Sequence, residues 1–364
     1  INMSMIIQHE ALRAIVANIY EKLGVPEQNA RTAAEIAVAS DLRGVDSHGV
    51  GMLPRKVDYM CRGLIEPNPQ IKIDRETPAT ALLDGGNGLG AVAGKRAMEL
   101  CIQKAKAVGA GFVTVHDSNH YGIAGYYSMM ALEHDMIGIS TTNTTPLVVP
   151  TFGRKAMLGT NPISMAAPAG QERPFVLDMA TSVVPSGKMA VYKRQDKNIP
   201  PGWAIDIEDQ PMTDPDEVSK MLYSRSGGGL LPLGGEGEEF GGHKGYGLTF
   251  MADILAGALS GAAFGSFVYP SKDGKQSPGN VGHFFGALSI EAFRPLDEFK
   301  RTMDEMIRDL KETPKVPGQE RIYIHGEKEF EIEAERRRSG IPLHDQVAAT
   351  LKELAQEMEV EWVD

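Results

Sequence analysis

Apolar positions fall at helical spacing over the first part of the chain. Leu12, Ile15, Val16, Ile19 and Tyr20 recur three and four apart, which predicts an amphipathic helix over residues 9–22, ended by Gly24. Pro26 suits the first position of a second, Ala-rich helix that runs to about Leu42. Residues 43–49, R-G-V-D-S-H-G, break the period, and a helix over 49–61 follows, for which Ser47 is a candidate cap. The pattern then shortens to strands at 79–84, 112–115, 137–141, 164–167, 175–178 and 286–293. Helices over 91–108 and 123–134 lie between them. Residues 185–240 are rich in proline, glycine and charge and read as a lid-like excursion over the surface. Beyond it come a Gly/Ala-rich helix over 248–259, a charged amphipathic helix over 295–313, and a strand and turn over 321–327. A charged helical face at 335–338 and a terminal helix over 343–357, with Val347, Leu351 and Leu354 on one side, complete the chain.

This order predicts an α/β protein. Helices from residues 1–75 and 295–364 would pack as one helical unit around a sheet domain over 76–294. A chain of 364 residues with 42% hydrophobic and 23% charged residues is ordinary for a globular protein of this size. The net charge of −11 argues against a nucleic-acid surface, although a local pocket on an acidic protein can still be positive. No 18-residue apolar run is present, so no membrane helix is expected. Cys61 and Cys101 are the two cysteines, neither with metal-ligand spacing, which suits a reducing compartment. Ile1–Gln8 lacks the basic and apolar regions of a secretory signal, and a cytoplasmic location is expected.

Candidate chemistry concentrates between Ser118 and Pro168. His120 can exchange a proton near neutral pH, Tyr121 can donate a hydrogen bond, and Gly122 and Gly125 allow a close backbone approach. Thr141, Thr142, Asn143, Thr144 and Thr145 follow the apolar run 136–139, as a buried strand does when it ends in a polar rim. Asp178 ends another strand, either as a ligand rim or as a helix cap. Arg43, Ser47 and His48 are close in sequence, and arginine suits a carboxylate; its alternative is a surface ion pair. Lys244 stands at a glycine-flanked helix start suited to an anion, or is a plain exposed lysine. The loop G-G-N-G-L-G at 85–90 fits a dinucleotide fingerprint poorly, and the next strand ends in His116-Asp117 without the expected acid; a packing turn fits better. His48, His116 and His120 lack the H-E-x-x-H spacing of a zinc site, and no G-x-S-x-G is present, so neither metal hydrolysis nor serine hydrolysis is favoured. Two histidines in glycine turns, an arginine and a lysine together suit a small carboxylate with a neighbouring hydroxyl or carbonyl. Hydride chemistry on such a substrate needs a cofactor, because no side chain accepts hydride.

Six motifs, taken in order, resemble the malate/L-lactate dehydrogenase family that lacks a Rossmann fold. They are R-G-V-D-S-H-G (43–49), S-N-H-Y-G-I-A-G-Y-Y (118–127), G-T-N-P-I (159–163), L-D-M-A-T-S (177–182), G-G-H-K-G-Y-G-L (241–248) and I-H-G-E-K (324–328). The likeness is strongest to the malate dehydrogenase members, and the family also includes enzymes acting on lactate, sulfolactate and ureidoglycolate. It implies a homodimer with a non-Rossmann central mixed sheet flanked by helices and a bound NAD or NADP; the histidine spacing read above leaves no metal expected. It also implies a small 2-hydroxy or 2-keto carboxylic acid as substrate. His120 takes the position of the family's proton acceptor. Arg43, Ser47, His48 and Arg55 would meet the substrate. Thr144, Thr145, Asn161, Asp178, Met179, Ala180, Lys244, Gly245, Gly326 and Glu327 would meet the cofactor. One departure stands out: the family pattern S-H-G-x-x-R-x-x-x-Y has Met52 and Lys56 at its arginine and tyrosine positions here, so Arg55 or another cation must meet the carboxylate.

Overall fold

A computed structural model describes residues 5–272 and 275–362, so part of the N-terminal stretch Ile1–Gln8 lies outside the described residues. Seven strands form the central sheet: β1 (Lys72–Glu76), β2 (Thr80–Asp84), β3 (Ala110–Ser118), β4 (Met136–Thr142), β5 (Ile163–Ala167), β6 (Phe175–Met179) and β7 (Val281–Ser289). Their spatial order is β1-β2-β3-β7-β4-β5-β6. Only β2 and β3 run parallel; every other neighbouring pair in the sheet is antiparallel. The sheet is therefore mixed, and it lacks the run of parallel strands that a dinucleotide-binding Rossmann fold requires. The last strand, expected at 286–293, begins at Val281 instead, because its first residues are buried between β3 and β4 although Gly282 and His283 look unlike a strand start. β1 was missed: all five of its residues are exposed, so it shows no apolar period. Residues 321–326 form no strand, and the segment that follows them is helix α10.

The helices are α1 (His9–Lys22), α2 (Glu27–Leu42), α3 (Leu53–Cys61), α4 (Gly90–Val108), α5 (Ala124–Met130), α6 (Gly187–Arg194), α7 (Pro215–Ser224), α8 (Gly242–Asp253), α9 (Leu296–Glu312), α10 (Glu327–Ser339) and α11 (Asp345–Glu357). Helix α4 makes the crossover between the parallel strands β2 and β3. Leu12, Ile15, Val16 and Ile19 of α1 are buried, as their spacing predicts, in a core shared with α2, α3, α4, β3, β7 and α11. Helix α9 instead meets the β5–β6 turn, where Asp304 accepts from the backbone N–H groups of Gly170, Gln171 and Glu172. Residues 185–240 are not a bare surface excursion. With the segment around Val148 and Leu158 they build a separate small core from Val184, Met189, Ile199, Val218, Met221 and Leu230. No helix among the described residues is long and apolar enough to cross a membrane.

Candidate active site

The turn after β3 carries His120, and the glycine loop of residues 85–90 holds that turn in place. The Asn119 amide donates to the carbonyls of Asn87 and Gly88, at 3.0 Å each. Gly90 packs so close to the Asn119 carbonyl that a Cβ there would overlap it. The loop thus serves as a packing turn, and its glycines are required for close backbone approach. From the other side the Tyr269 hydroxyl donates to Asn119 Oδ1 (2.9 Å) and accepts from the His120 N–H (3.4 Å). Gly122 adopts φ +91°, which turns the chain back into α5.

His120 stacks on His48, with ring centroids 5.4 Å apart and 27° between planes. His48 Nδ1 lies 2.9 Å from Ser47 Oγ, so this serine orients the histidine and does not cap α3. Loss of water on burial holds the His120 pKa well below 6.5, and His48, Lys56, Arg55 and His283 all push it the same way. Burial and the nearby Lys56 lower His48 as well. Both rings are therefore neutral at neutral pH. The Nδ1 of His120 is buried and has no hydrogen-bond partner among the described residues. Behind the pair, Tyr121 lies flat against His283, 4.7 Å and 1° apart. His283 is fixed through Ser118 Oγ (2.8 Å) and Thr142 Oγ1 (2.7 Å), and burial pushes its pKa down to about 3. The Tyr121 hydroxyl pairs with Ser140 Oγ at 3.1 Å, so that side chain is a support for the turn.

The two histidines open onto a cavity of about 390 Å³, a size suited to a small-molecule ligand. Its wall brings together Arg43, Ser47, His48, His120, Thr144, Asp178, Met179, Ala180 and Gly326. Asp178 accepts from the Gly125 N–H at 2.7 Å. Loss of solvation in the cavity wall raises its carboxyl to about 6, against the pull of that N–H and of Arg43. Thr142 and Thr160, on the same wall, add hydroxyl groups, and Ile123, Pro162 and Pro185 add apolar surface. An apolar wall with a few placed polar groups and an unpartnered imidazole nitrogen fits a flat heteroaromatic cofactor ring beside a small polar acid.

Six of the expected residues lie outside this wall: Arg55, Thr145, Asn161, Lys244, Gly245 and Glu327. Arg55 donates to the Tyr59 hydroxyl through Nε (3.1 Å) and Nη2 (3.0 Å). Asn161 is spent on the scaffold: it accepts from the Thr144 N–H and donates to the Thr249 carbonyl, both at 3.0 Å. Lys244 and Gly245 sit in the first turn of α8, with Gly245 packed against the Leu233 backbone. The Glu327 carboxylate is taken by Lys311 (2.6 Å), Arg321 (3.2 Å) and the Ile324 N–H (3.1 Å), a cluster that pulls its pKa down against burial. Arg43 reaches the wall, but its guanidinium already meets Glu333 at 3.0 Å and lies 4.6 Å over the Phe330 ring.

Lys56 is the group whose role the sequence did not bring out. It is buried in α3 on the same face as Leu53, Val57 and Met60. That spacing was readable: a lysine at i+3 of an apolar stripe is a signal of a non-surface role.

The family model of the malate/L-lactate dehydrogenases matches residues 7–352. A malate dehydrogenase of Pyrococcus horikoshii is 50% identical over 97% of this chain and 95% of its own length. A malate/(S)-sulfolactate dehydrogenase of Methanothermus fervidus is 40% identical over 98% of this chain and 99% of its own. The crystal structure of a malate dehydrogenase from Entamoeba histolytica superposes with a TM-score of 0.95 at 38% identity, covering 98% of this chain and 99% of that one.

Proposed function

We infer that this chain, which belongs to the malate/L-lactate dehydrogenase family, interconverts malate and oxaloacetate with NAD or NADP. The observation that carries the reading is the neutral His48–His120 pair at the wall of the cavity, with positive groups around it and no carboxylate raising its pKa. A bound nicotinamide supplies the hydride acceptor. In oxidation, neutral His120 takes the proton of the C2 hydroxyl, and the C2 hydrogen leaves as hydride with its electron pair. In reduction, protonated His120 returns that proton to the keto oxygen. Ser47 fixes the orientation of His48, and the stacked His48 fixes the plane of His120. Thr144, Asp178, Met179, Ala180 and Gly326 are assigned to the cofactor side of the cavity, where Asp178 also anchors the start of α5.

The test is NADH and NADPH oxidation with oxaloacetate, pyruvate and sulfopyruvate. The expected result is the largest kcat/KM with oxaloacetate. A clear preference for sulfopyruvate would favour sulfolactate as the natural substrate, in line with the name of the Methanothermus relative. No oxidation with any of them would support a binding role without catalysis.

A pH profile provides an independent check. Because burial and neighbouring cations depress His120, the free enzyme holds the acid needed for reduction only in small amount at neutral pH, and that amount grows as pH falls. The kcat/KM of reduction should rise about tenfold per unit as pH falls from about 7.5 to about 6.5, with no plateau above 6.5. A plateau beginning near pH 7 would contradict the assignment.

A homodimer is assigned to an apolar ridge on α8 and the π-helical turn Ile254–Ala258 that continues it. Tyr246, Phe250 and Ile254 recur four apart, and Phe250, Met251, Ile254 and Leu259 are all exposed. A second copy of the chain would cover this ridge. Sedimentation should give twice 39.4 kDa, and Ile254→Asp should shift the protein to the monomer. The free thiols of Cys61 and Cys101 support a cytoplasmic assignment.

A further inference from the structure

Tyr269 stands in a backbone conformation that its side chain disfavours. Its φ is +49°, in the left-handed region where Cβ crowds a carbonyl oxygen and where glycine and asparagine are the usual occupants. A bulky residue is an outlier there and persists only where the surrounding contacts over-determine it. Such contacts surround Tyr269. Its ring is buried and tilted against Tyr59, with centroids 5.8 Å apart. It lies so close to Gly279 that a Cβ on that glycine would overlap it. Arg225, the left-handed cap that ends α7, donates through Nη2 to the carbonyls of Val268 (3.4 Å) and Tyr269 (3.2 Å).

Packing accounts for the ring and not for the hydroxyl. Phenylalanine would fill the same space and bring no buried polar atom that needs a partner. The hydroxyl reaches the turn that carries His120, where it donates to Asn119 Oδ1 (2.9 Å) and accepts from the His120 N–H (3.4 Å). Asn119 is 1% exposed, and its amide is already taken by the carbonyls of Asn87 and Gly88. Among the described residues no other donor meets its Oδ1. The turn is therefore clamped from two sides, by the glycine loop of residues 85–90 and by the Tyr269 hydroxyl.

We propose that Tyr269 is a positioning residue for the proton transfer. Its hydroxyl fixes the backbone at His120, and Arg225 holds Tyr269 in the conformation that brings the hydroxyl there. This rests on the dehydrogenase reading above. The His120 ring depends on such support, because its buried Nδ1 has no hydrogen-bond partner among the described residues. Its place is set by its backbone and by its stacking on His48. Arg225 belongs to the lobe of residues 185–240, whose small core includes Val218, Met221 and Leu222 of α7. The seat of that lobe on Val268 and Tyr269 is thereby felt at His120. Neither Tyr269 nor Arg225 lines the cavity. Loss of the link should therefore slow the transfer and leave the binding surface as it is.

The experiment compares the wild type with Tyr269→Phe, Arg225→Met and Arg225→Lys. The kcat of oxaloacetate reduction is expressed per NADH- or NADPH-binding site, counted by fluorescence titration, so that a loss of folded protein does not register. Tyr269→Phe should lower it by about 10- to 100-fold, with the cofactor Kd within about twofold of wild type. Arg225→Met should lower it by about threefold or more, and Arg225→Lys, which keeps a donor, should recover part of that loss. Hydrogen exchange over residues 117–123 gives a readout without turnover. In Tyr269→Phe it should rise about tenfold relative to peptides of α1 and β4. A tyrosine that only packs would lower the melting temperature and leave both readouts at their wild-type values, and that result overturns the proposal. If Tyr269→Phe does not fold, Arg225→Met carries the comparison. Wild-type kcat in Arg225→Met beside a loss in Tyr269→Phe overturns the role given to Arg225. Should exchange rise in Tyr269→Phe while the wild type reduces no keto acid, the clamp on the turn stands and the dehydrogenase reading fails.

Discussion

His120→Ala loses about 10²- to 10⁴-fold in kcat while cofactor affinity changes little. The turn that carries His120 is held by groups other than its imidazole. Asn119 is tied to Asn87 and Gly88, the Tyr269 hydroxyl meets the Asn119 side chain and the His120 N–H, and Tyr127 donates to the Tyr121 carbonyl. Removing the ring deletes a proton acceptor and its stacking on His48, and leaves those anchors in place. Among the described residues Nδ1 has no partner to orphan, so the change strands no buried polar group there. The loss should thus fall on kcat, with the melting temperature close to wild type. Steady-state kinetics together with a fluorescence titration of NADH separate the two effects. A variant with wild-type kcat would remove His120 from the chemistry.

Gly90→Ala acts at a distance and by a different route. A methyl group at this position would overlap the Asn119 carbonyl and crowd the His120 backbone. Backbone on both sides cannot give way as a flexible side chain would, so either α4 shifts along β3 or the turn does. The cost is about 1–3 kcal/mol or more in stability. A displacement of the His120 ring of about 1 Å would further cost on the order of 10²-fold in kcat/KM. Thermal unfolding and kinetics on Gly90→Ala should fall together. Gly86→Ala is the contrasting control: Gly86, at φ +58°, meets Pro69 and Gln70 but not the turn of His120, so it should lose stability with less effect on rate.

Much of this site was legible in the chain because its carriers are turns. The residues that must approach closely are glycines, and glycine clusters mark the ends of β2, β3 and the start of α8 whatever the tertiary structure. His48 and His120 were found by that punctuation, Thr144 and Asp178 by strands that end in polar residues, and the structure brings all four to one wall. What was lost followed from two physical causes. The exposed β1, with no apolar period, carries no local signal of its fate, and the run at 321–326 carries a strand-like signal that the structure does not follow. A side chain spent inside the scaffold looks in sequence like one free for a ligand: Asn161 bridges two segments, Glu327 closes an ion cluster, and Arg55 rests on Tyr59. Lys56 is the reverse case. The helical face that α3 buries was visible, but a lysine on that face has consequence only once no acid is found near it.

The catalytic account turns on hydride leaving C2 as His120 takes the hydroxyl proton. Oxidation of [2-²H]malate by the wild-type enzyme, with the reduced nicotinamide recovered and examined by NMR, measures that transfer directly. Deuterium should appear at C4 of the nicotinamide, with none exchanged into water. Deuterium found in the solvent, or retained at C2 of recovered acid with no reduced cofactor formed, would contradict it.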